Sequence, residues 1–203
     1  MKIGILGAKI IGSTLGRKWA KAGHQIMFGV RNTHNPEVLS LAKSLGQAVT
    51  IGTTAEAISF GDVVVFAIPG QAMDETIVAN SNILNGKIII DSANKMGGGV
   101  MNSVETFRSH TPNAKVYRAF NNLGWENFEN PTINGIQVDL FYCGDSGESH
   151  HKVKELIKDI GLNPIYLGDL SQVNLIDTIG SLWFALAYGQ SMGRHVALKV
   201  LRE

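Results

Sequence analysis

Short β-branched and apolar runs alternate with stretches of helical periodicity along most of the chain. Ile3-Gly4-Ile5-Leu6 reads as a buried strand, and Ile11 to Ala22 as a helix stopped by Gly23. Gln25 to Phe28 forms a second strand, and Pro36 to Leu45 a second helix with proline at its start. Ala48 to Ile51 is a third strand, and Thr54 to Phe60 a short helix ended by Gly61. Asp62 to Ile68 and Lys87 to Ile90 are apolar without alternation, the pattern of strands covered by helices on both faces of a parallel sheet. Further on, Lys115 to Phe120, Val138 to Cys143 and Pro164 to Leu167 read as strands, with a helix from Ser149 to Ile160. From Ser171 to Arg202 the pattern predicts one long or broken helix. The expectation is an α/β, Rossmann-type doubly wound fold: a mainly parallel sheet, helices on both faces and a C-terminal helical segment.

The first strand-to-helix turn reads Gly7-Ala8-Lys9-Ile10-Ile11-Gly12 and stands where a dinucleotide-binding loop belongs. Its first glycine serves a tight turn and its last lets helix and strand pack closely. The middle glycine, which lets backbone approach a pyrophosphate, is replaced by Lys9. Two consequences compete: Lys9 keeps an allowed backbone angle and sends its ammonium to the phosphates, or it obstructs their approach. At the end of the second strand, Phe28-Gly29-Val30-Arg31-Asn32 lacks the carboxylate that would hold a ribose 2′-hydroxyl. Arg31 instead suits a 2′-phosphate, with Asn32 or Thr33 adding a hydrogen bond, so NADP(H) is expected over NAD(H).

Composition narrows this further. The 203 residues carry a formal net charge of +1, so no broad field favours nucleic acid or an anionic membrane. No apolar run is long enough to cross a bilayer, and the opening apolar run is too short for a secretion signal; a cytoplasmic protein is expected. One cysteine, Cys143, suits a reducing compartment. His150 and His151 are adjacent and diverge on a helix, so no metal site is expected. Residues 1–170 are expected to form the NADP-binding Rossmann-like domain and 171–203 a helical segment packing on that core or on a partner. Around Leu182 to Tyr188 that segment is apolar on every side, which points to a homodimer with Trp183, Phe184 and Tyr188 as anchors.

Several segments in order resemble the F420-dependent NADP oxidoreductases: KIGILGAKIIGSTLGRKWAKAGH, FGVRN, VVVFAIP, IIIDSANKMG, KVYRAFNNLGWENFENP, DLFYCGD and LWFALAYGQSMGRHVALKVL. The resemblance implies hydride exchange between NADP(H) and a flavin-like acceptor, with coenzyme F420, FMN and FAD as candidates. It places Gly7 and Gly12 at the pyrophosphate, Arg31 at the 2′-phosphate, Ala67-Ile68-Pro69 along the cofactor cleft, and Asn94 and Asn121 near the nicotinamide. Lys9 departs from the family's usual glycine. The two asparagines also lie at strand ends, where ligand contact competes with ordinary turn chemistry. No acid–base pair is needed for ring-to-ring hydride transfer, so no catalytic side chain is named. The alternatives are an NADPH-sensing module without catalysis and an NADPH-dependent flavin or ferric reductase. The β-hydroxyacid and imine reductases open similarly but append a large helical domain, for which only ~30 residues remain here after the last strand.

Overall fold

A computed structural model describes all residues from Met1 to Glu203, which form two compact units, Met1–Val116 and Tyr117–Glu203. The first unit is built on strands β1 (Lys2–Leu6), β2 (Gln25–Gly29), β3 (Val49–Gly52), β4 (Val63–Phe66) and β5 (Ile88–Asp91). They pair in the order β5-β4-β1-β2-β3, every pair parallel. β4 and β5 are buried at every position, as their unbroken apolar runs require. Helices α1 (Ile10–Lys21), α2 (Pro36–Leu45), α3 (Thr54–Phe60), α4 (Met73–Ala79), α5 (Ser81–Leu84) and α6 (Val104–His110) connect and cover them.

Local chemistry fixes two helix starts where the sequence reading put them. Asn35 accepts from the Glu37 and Val38 amides ahead of Pro36. Thr53 and Glu56 form a reciprocal capping box: the Glu56 amide donates to Thr53 Oγ1 at 3.3 Å, and the Thr53 amide to Glu56 Oε2 at 2.7 Å. The Thr53 amide, and after it the Thr53 hydroxyl donating to Glu56 Oε2 at 2.9 Å, hold the Glu56 carboxyl below its usual pKa. The strand expected over 62–68 is shorter, because Ala67-Ile68-Pro69 turn out of the sheet and Gly70–Ala72 form a 3-10 turn. The helices over 73–79, 81–84 and 104–110 carry little periodicity in so few residues and were not legible.

In the second unit the continuation of β6 (Lys115–Arg118) leads to α7 (Trp125–Glu129), the hairpin β7 (Thr132–Ile133) and β8 (Ile136–Gln137), and β9 (Asp139–Gly144). α8 (Glu148–Asp159), β10 (Asn163–Tyr166) and α9 (Val173–Phe184) follow. β9 pairs antiparallel with β6 and parallel with β10, so the sheet is mainly but not wholly parallel. α9 packs on β9, where Ile176 meets Phe141 and Cys143. Burial pushes the Cys143 thiol up to about 12, which removes it as a nucleophile.

The long C-terminal helix expected over 171–202 ends early. α9 passes into one π-helical turn, Ala185–Gly189, and residues 190–203 have no regular structure. Ser191 and Gly193 adopt left-handed backbone angles (φ +54° and +82°), which a right-handed helix cannot contain. Side chains hold the tail instead: Trp183 Nε1 donates to the Val196 carbonyl at 2.9 Å, and the Val200 amide donates to Asp139 at 2.8 Å. Arg194 pairs with Glu126 at 2.6 Å and lies over the Trp183 and Tyr188 rings. Trp183 is therefore buried within its own unit, whereas Leu182 and Tyr188 are about half exposed, at 46% and 52%.

The centre of the second unit is ionic. Arg118, fully buried, donates through Nε to Asp177 Oδ1 at 2.8 Å, and Asn121 Nδ2 reaches the same oxygen at 3.3 Å. Removing one member of a buried pair strands the other charge in a poorly polarisable interior. Asp177→Ala is expected to cost about 3–5 kcal/mol, read as a shift of the urea unfolding midpoint; an unchanged midpoint would show that the pair is not a stability determinant.

Candidate functional site

Four loops leave the carboxyl edge of the first unit's sheet, and backbone hydrogen bonds align their starts. The Gly7 amide donates to the Gly29 carbonyl at 2.9 Å, Ala67 to Leu6 at 3.0 Å, and Val30 to Gly52 at 3.0 Å. The loops after β2, β1, β4 and β5 thus form a row that carries Arg31, Gly7–Gly12, Ala67–Pro69 and Asn94 in turn. This edge is where ligands bind in open parallel sheets.

Glycine is required in the row by lack of space. A Cβ on Gly12 would lie 2.0 Å from the Gly7 carbonyl oxygen, and one on Gly7 2.5 Å from the Ala67 oxygen. Gly7 also has φ +97°, a region that side-chain-bearing residues avoid. A Cβ on Gly70 would likewise lie 2.3 Å from the Asn94 carbonyl oxygen. Gly7 to Ala67 and Gly70 to Asn94 are therefore backbone-to-backbone approaches.

Lys9 is the N-cap of α1, with φ −77° and ψ −170°, an ordinary extended conformation. The middle position of this loop thus accepts a side chain without backbone strain. Lys9 is exposed, its side chain makes no cap, and α1 has no acidic residue in its first turn. The opening amides of α1 have no acceptors within the helix. Ala8 and Ile11 are half-buried and Ile10 exposed, so the turn presents backbone N–H groups and one ammonium, a set suited to an anion. The fit to a dinucleotide pyrophosphate is good on this geometry.

Arg31 is exposed and has no carboxylate partner. Asn32 is committed to the turn: its Oδ1 accepts the His34 amide at 3.0 Å, and its carbonyl the Asn35 amide at 3.3 Å. Ala67 and Ile68 are half-buried and Pro69 exposed, and Asn94 is half-buried. Asn121 belongs to the second unit, where it is 3% exposed and bonded to Asp177, with Asn122 Nδ2 donating to its side-chain oxygen at 3.3 Å.

Sequence reasoning overlooked Asp91. Fully buried at the end of β5, it accepts the Ala93 amide at 3.1 Å and the Ser103 amide at 3.0 Å, while Ser92 Oγ donates to the Phe66 carbonyl at 2.6 Å. These bonds set the turn that delivers Asn94. The available signal was a carboxylate closing the apolar run IIID. Beyond it, Lys95 pairs with Asp74 at 2.7 Å. Burial raises the Asp74 pKa, but hydrogen bonds from Lys95 and Thr106 outweigh it and leave the carboxyl below its usual value.

Residues 2–95, which contain this whole row, match the family model described as "NADP oxidoreductase coenzyme F420-dependent". That match covers a little under half of the chain. Among curated proteins, the chain is 24% identical over 203 residues to the F420-dependent NADP reductase of Methanothermobacter marburgensis, covering 90% of each. It is 26% identical over 183 residues to the rat metalloreductase STEAP3, covering 88% of this chain but 36% of the rat protein, so the chain spans about a third of that relative. Among solved structures, one from Arthrobacter sp. FB24, provisionally assigned as an F420-dependent NADP reductase, superposes over all of both chains with a TM-score of 0.85 at 23% identity. That likeness extends the shared fold to the whole length, and the kinship is with NADP-dependent oxidoreductases.

Because backbone lies where their Cβ atoms would go, Gly7→Ala and Gly12→Ala are each expected to weaken NADPH binding at least about tenfold, about 1.4 kcal/mol. Isothermal titration beside unaltered protein measures this; full affinity in Gly12→Ala would show that the helix start is not where the nucleotide sits.

Proposed function

We propose that the chain transfers hydride between NADP(H) and a flavin-like acceptor, for which F420, FMN and FAD are the candidates. The observation that carries the reading is the row itself. An exposed, unpaired Arg31 stands at one end, a phosphate loop tightened at Gly7 and Gly12 and capped by Lys9 in the middle, and the Ala67–Pro69 and Asn94 loops at the other. Gly7, Ala8, Lys9, Ile10, Ile11 and Gly12 bind the pyrophosphate through backbone amides and the Lys9 ammonium. The Arg31 guanidinium pairs with the 2′-phosphate; Asn32, its Oδ1 bonded within the turn, shapes that loop. Ala67, Ile68, Pro69 and Asn94 border the nicotinamide end. When bound, the nucleotide supplies the hydride. The protein's task is then to hold two rings in close parallel contact and keep water out. Asn121, whose Nδ2 is bonded to Asp177, is kept in this reading as a residue near the same ring.

We further propose that residues 171–203 form the self-association surface. α9 and the π-helical turn after it leave Leu175, Leu182 and Tyr188 exposed, apolar area fitted to a second copy. A monomeric mass by light scattering at micromolar concentration would refute this.

The direct assay is anaerobic NADPH oxidation with F420, FMN, FAD and ferric chelate offered separately, and NADH as control. Turnover with one ring acceptor supports the reading, turnover with ferric chelate alone favours a metal reductase, and binding without any turnover favours a sensing module. Arg31→Ala is expected to raise the NADPH Michaelis constant about tenfold or more while leaving that for NADH nearly unchanged, since one charge-assisted contact is worth about 1.5–3 kcal/mol. Equal effects on both nucleotides would overturn the 2′-phosphate role.

A further inference from the structure

The loop that follows Asn94 has features the nucleotide reading does not use. Gly97, Gly98 and Gly99 have φ of +119°, +97° and +83°, and an added Cβ at any of them would meet nothing within 4 Å. These glycines answer a need for unusual backbone angles and not a need for space. Met96 and Val100 flank them, two large apolar side chains left 56% and 67% exposed. The loop is closed at its base, where the Lys95 amide donates to the Met101 carbonyl at 2.9 Å. It is moored on one side by the Lys95–Asp74 pair and by Gln71 Nε2, which donates to the Met96 carbonyl at 3.4 Å. A fixed base thus carries an exposed apolar tip on a backbone with little steric restriction.

Strand order says what lies beside that tip. Arg31 follows β2 and Asn94 follows β5, three strand spacings apart in the order β5-β4-β1-β2, or about 14 Å. A dinucleotide whose 2′-phosphate meets Arg31 and whose pyrophosphate meets Gly7–Gly12 must therefore place its redox ring at the β4–β5 end. Gly70 holds the Pro69 turn against Asn94 and Lys95, so the 96–100 tip starts from the border of that ring position. Ring-to-ring hydride transfer needs a second planar surface there and exclusion of water.

We propose that Met96 and Val100 form an apolar clamp for the planar ring of the hydride acceptor, with Gly97–Gly99 letting the loop close on it. This rests on the NADP(H) reading above. The thioether of Met96 is flexible and polarizable and packs well on ring edges. Val100 supplies a rigid β-branched face. The clamp adds no polar contact, so it recognises planarity and apolar area, the properties shared by flavin and deazaflavin rings.

The test uses the full chain labelled with [13C-methyl]methionine. The protein has six methionines, and the Met96 signal is identified by its loss in Met96→Leu. NADP+ is added to saturation first, then FMN, and in a parallel sample F420. The expected result is a ring-current shift of the Met96 methyl on addition of FMN or F420. Met96→Ala/Val100→Ala is expected to weaken that second binding step about tenfold, about 1.4 kcal/mol, with NADP+ affinity and melting temperature unchanged. A Met96 signal that stays still while either ring compound binds overturns the clamp, as does binding of neither compound to the NADP+-loaded protein. Absence of NADP+ binding in the first step refutes the nucleotide reading, and the clamp with it; the two failures are separated by the order of addition.

Discussion

The candidate site depends on close backbone approaches along the carboxyl edge of one parallel sheet. Gly12 against Gly7, Gly7 against Ala67, and Gly70 against Asn94 leave no room for even a methyl group. These contacts bring the loops after β1, β4 and β5 and the start of α1 close together at the level of the backbone. A surface of that kind can bring amide groups within hydrogen-bonding reach of a phosphate, and its strand spacing sets how far apart the two ends of a bound dinucleotide must lie. Arg31 at one end and the Met96–Val100 tip at the other take their meaning from that spacing.

Lys9 fits the same frame. In dinucleotide-binding loops the middle glycine is commonly read as a demand for nearness. At φ −77° the position makes no conformational demand, so a lysine can occupy it and offer a charge where a glycine would offer proximity. On the proposed nucleotide reading, that charge would make binding at the loop sensitive to salt.

The second unit is organised on another principle. Arg118 and Asp177 form a buried pair that ties β6 to α9, with Asn121 bonded to the same carboxylate. Asp139 plays a similar part at the tail, accepting from Asn163, Lys199 and the Val200 amide. These fixed polar junctions hold a tail that has no helical or strand hydrogen bonds of its own. They also explain why Trp183 turns inward while Tyr188 remains at the surface.

Much of the first unit was written in local sequence. Apolar runs at β4 and β5, Pro36 behind its Asn35 cap, the Thr53–Glu56 box and the glycines at 7 and 12 each act over a few residues, so their patterns gave the elements, the parallel architecture and the expected phosphate loop. Long-range effects were out of reach. That the chain leaves the helix after Gly189 is decided by partners far away in sequence, Asn127, Glu126 and Asp139, which capture the tail. The commitment of Asn121 to Asp177, 56 residues away, is of the same kind, as is the role of Asp91 in bonding Ser103. The sequence by itself determined which residues could form each element and the parallel arrangement of the first sheet, because propensity, capping and periodicity are local. Only the tertiary structure decided that Asn121 is bonded to Asp177 and where the last helix stops. Those outcomes depend on buried polar groups finding partners, and the partners are neighbours only after folding.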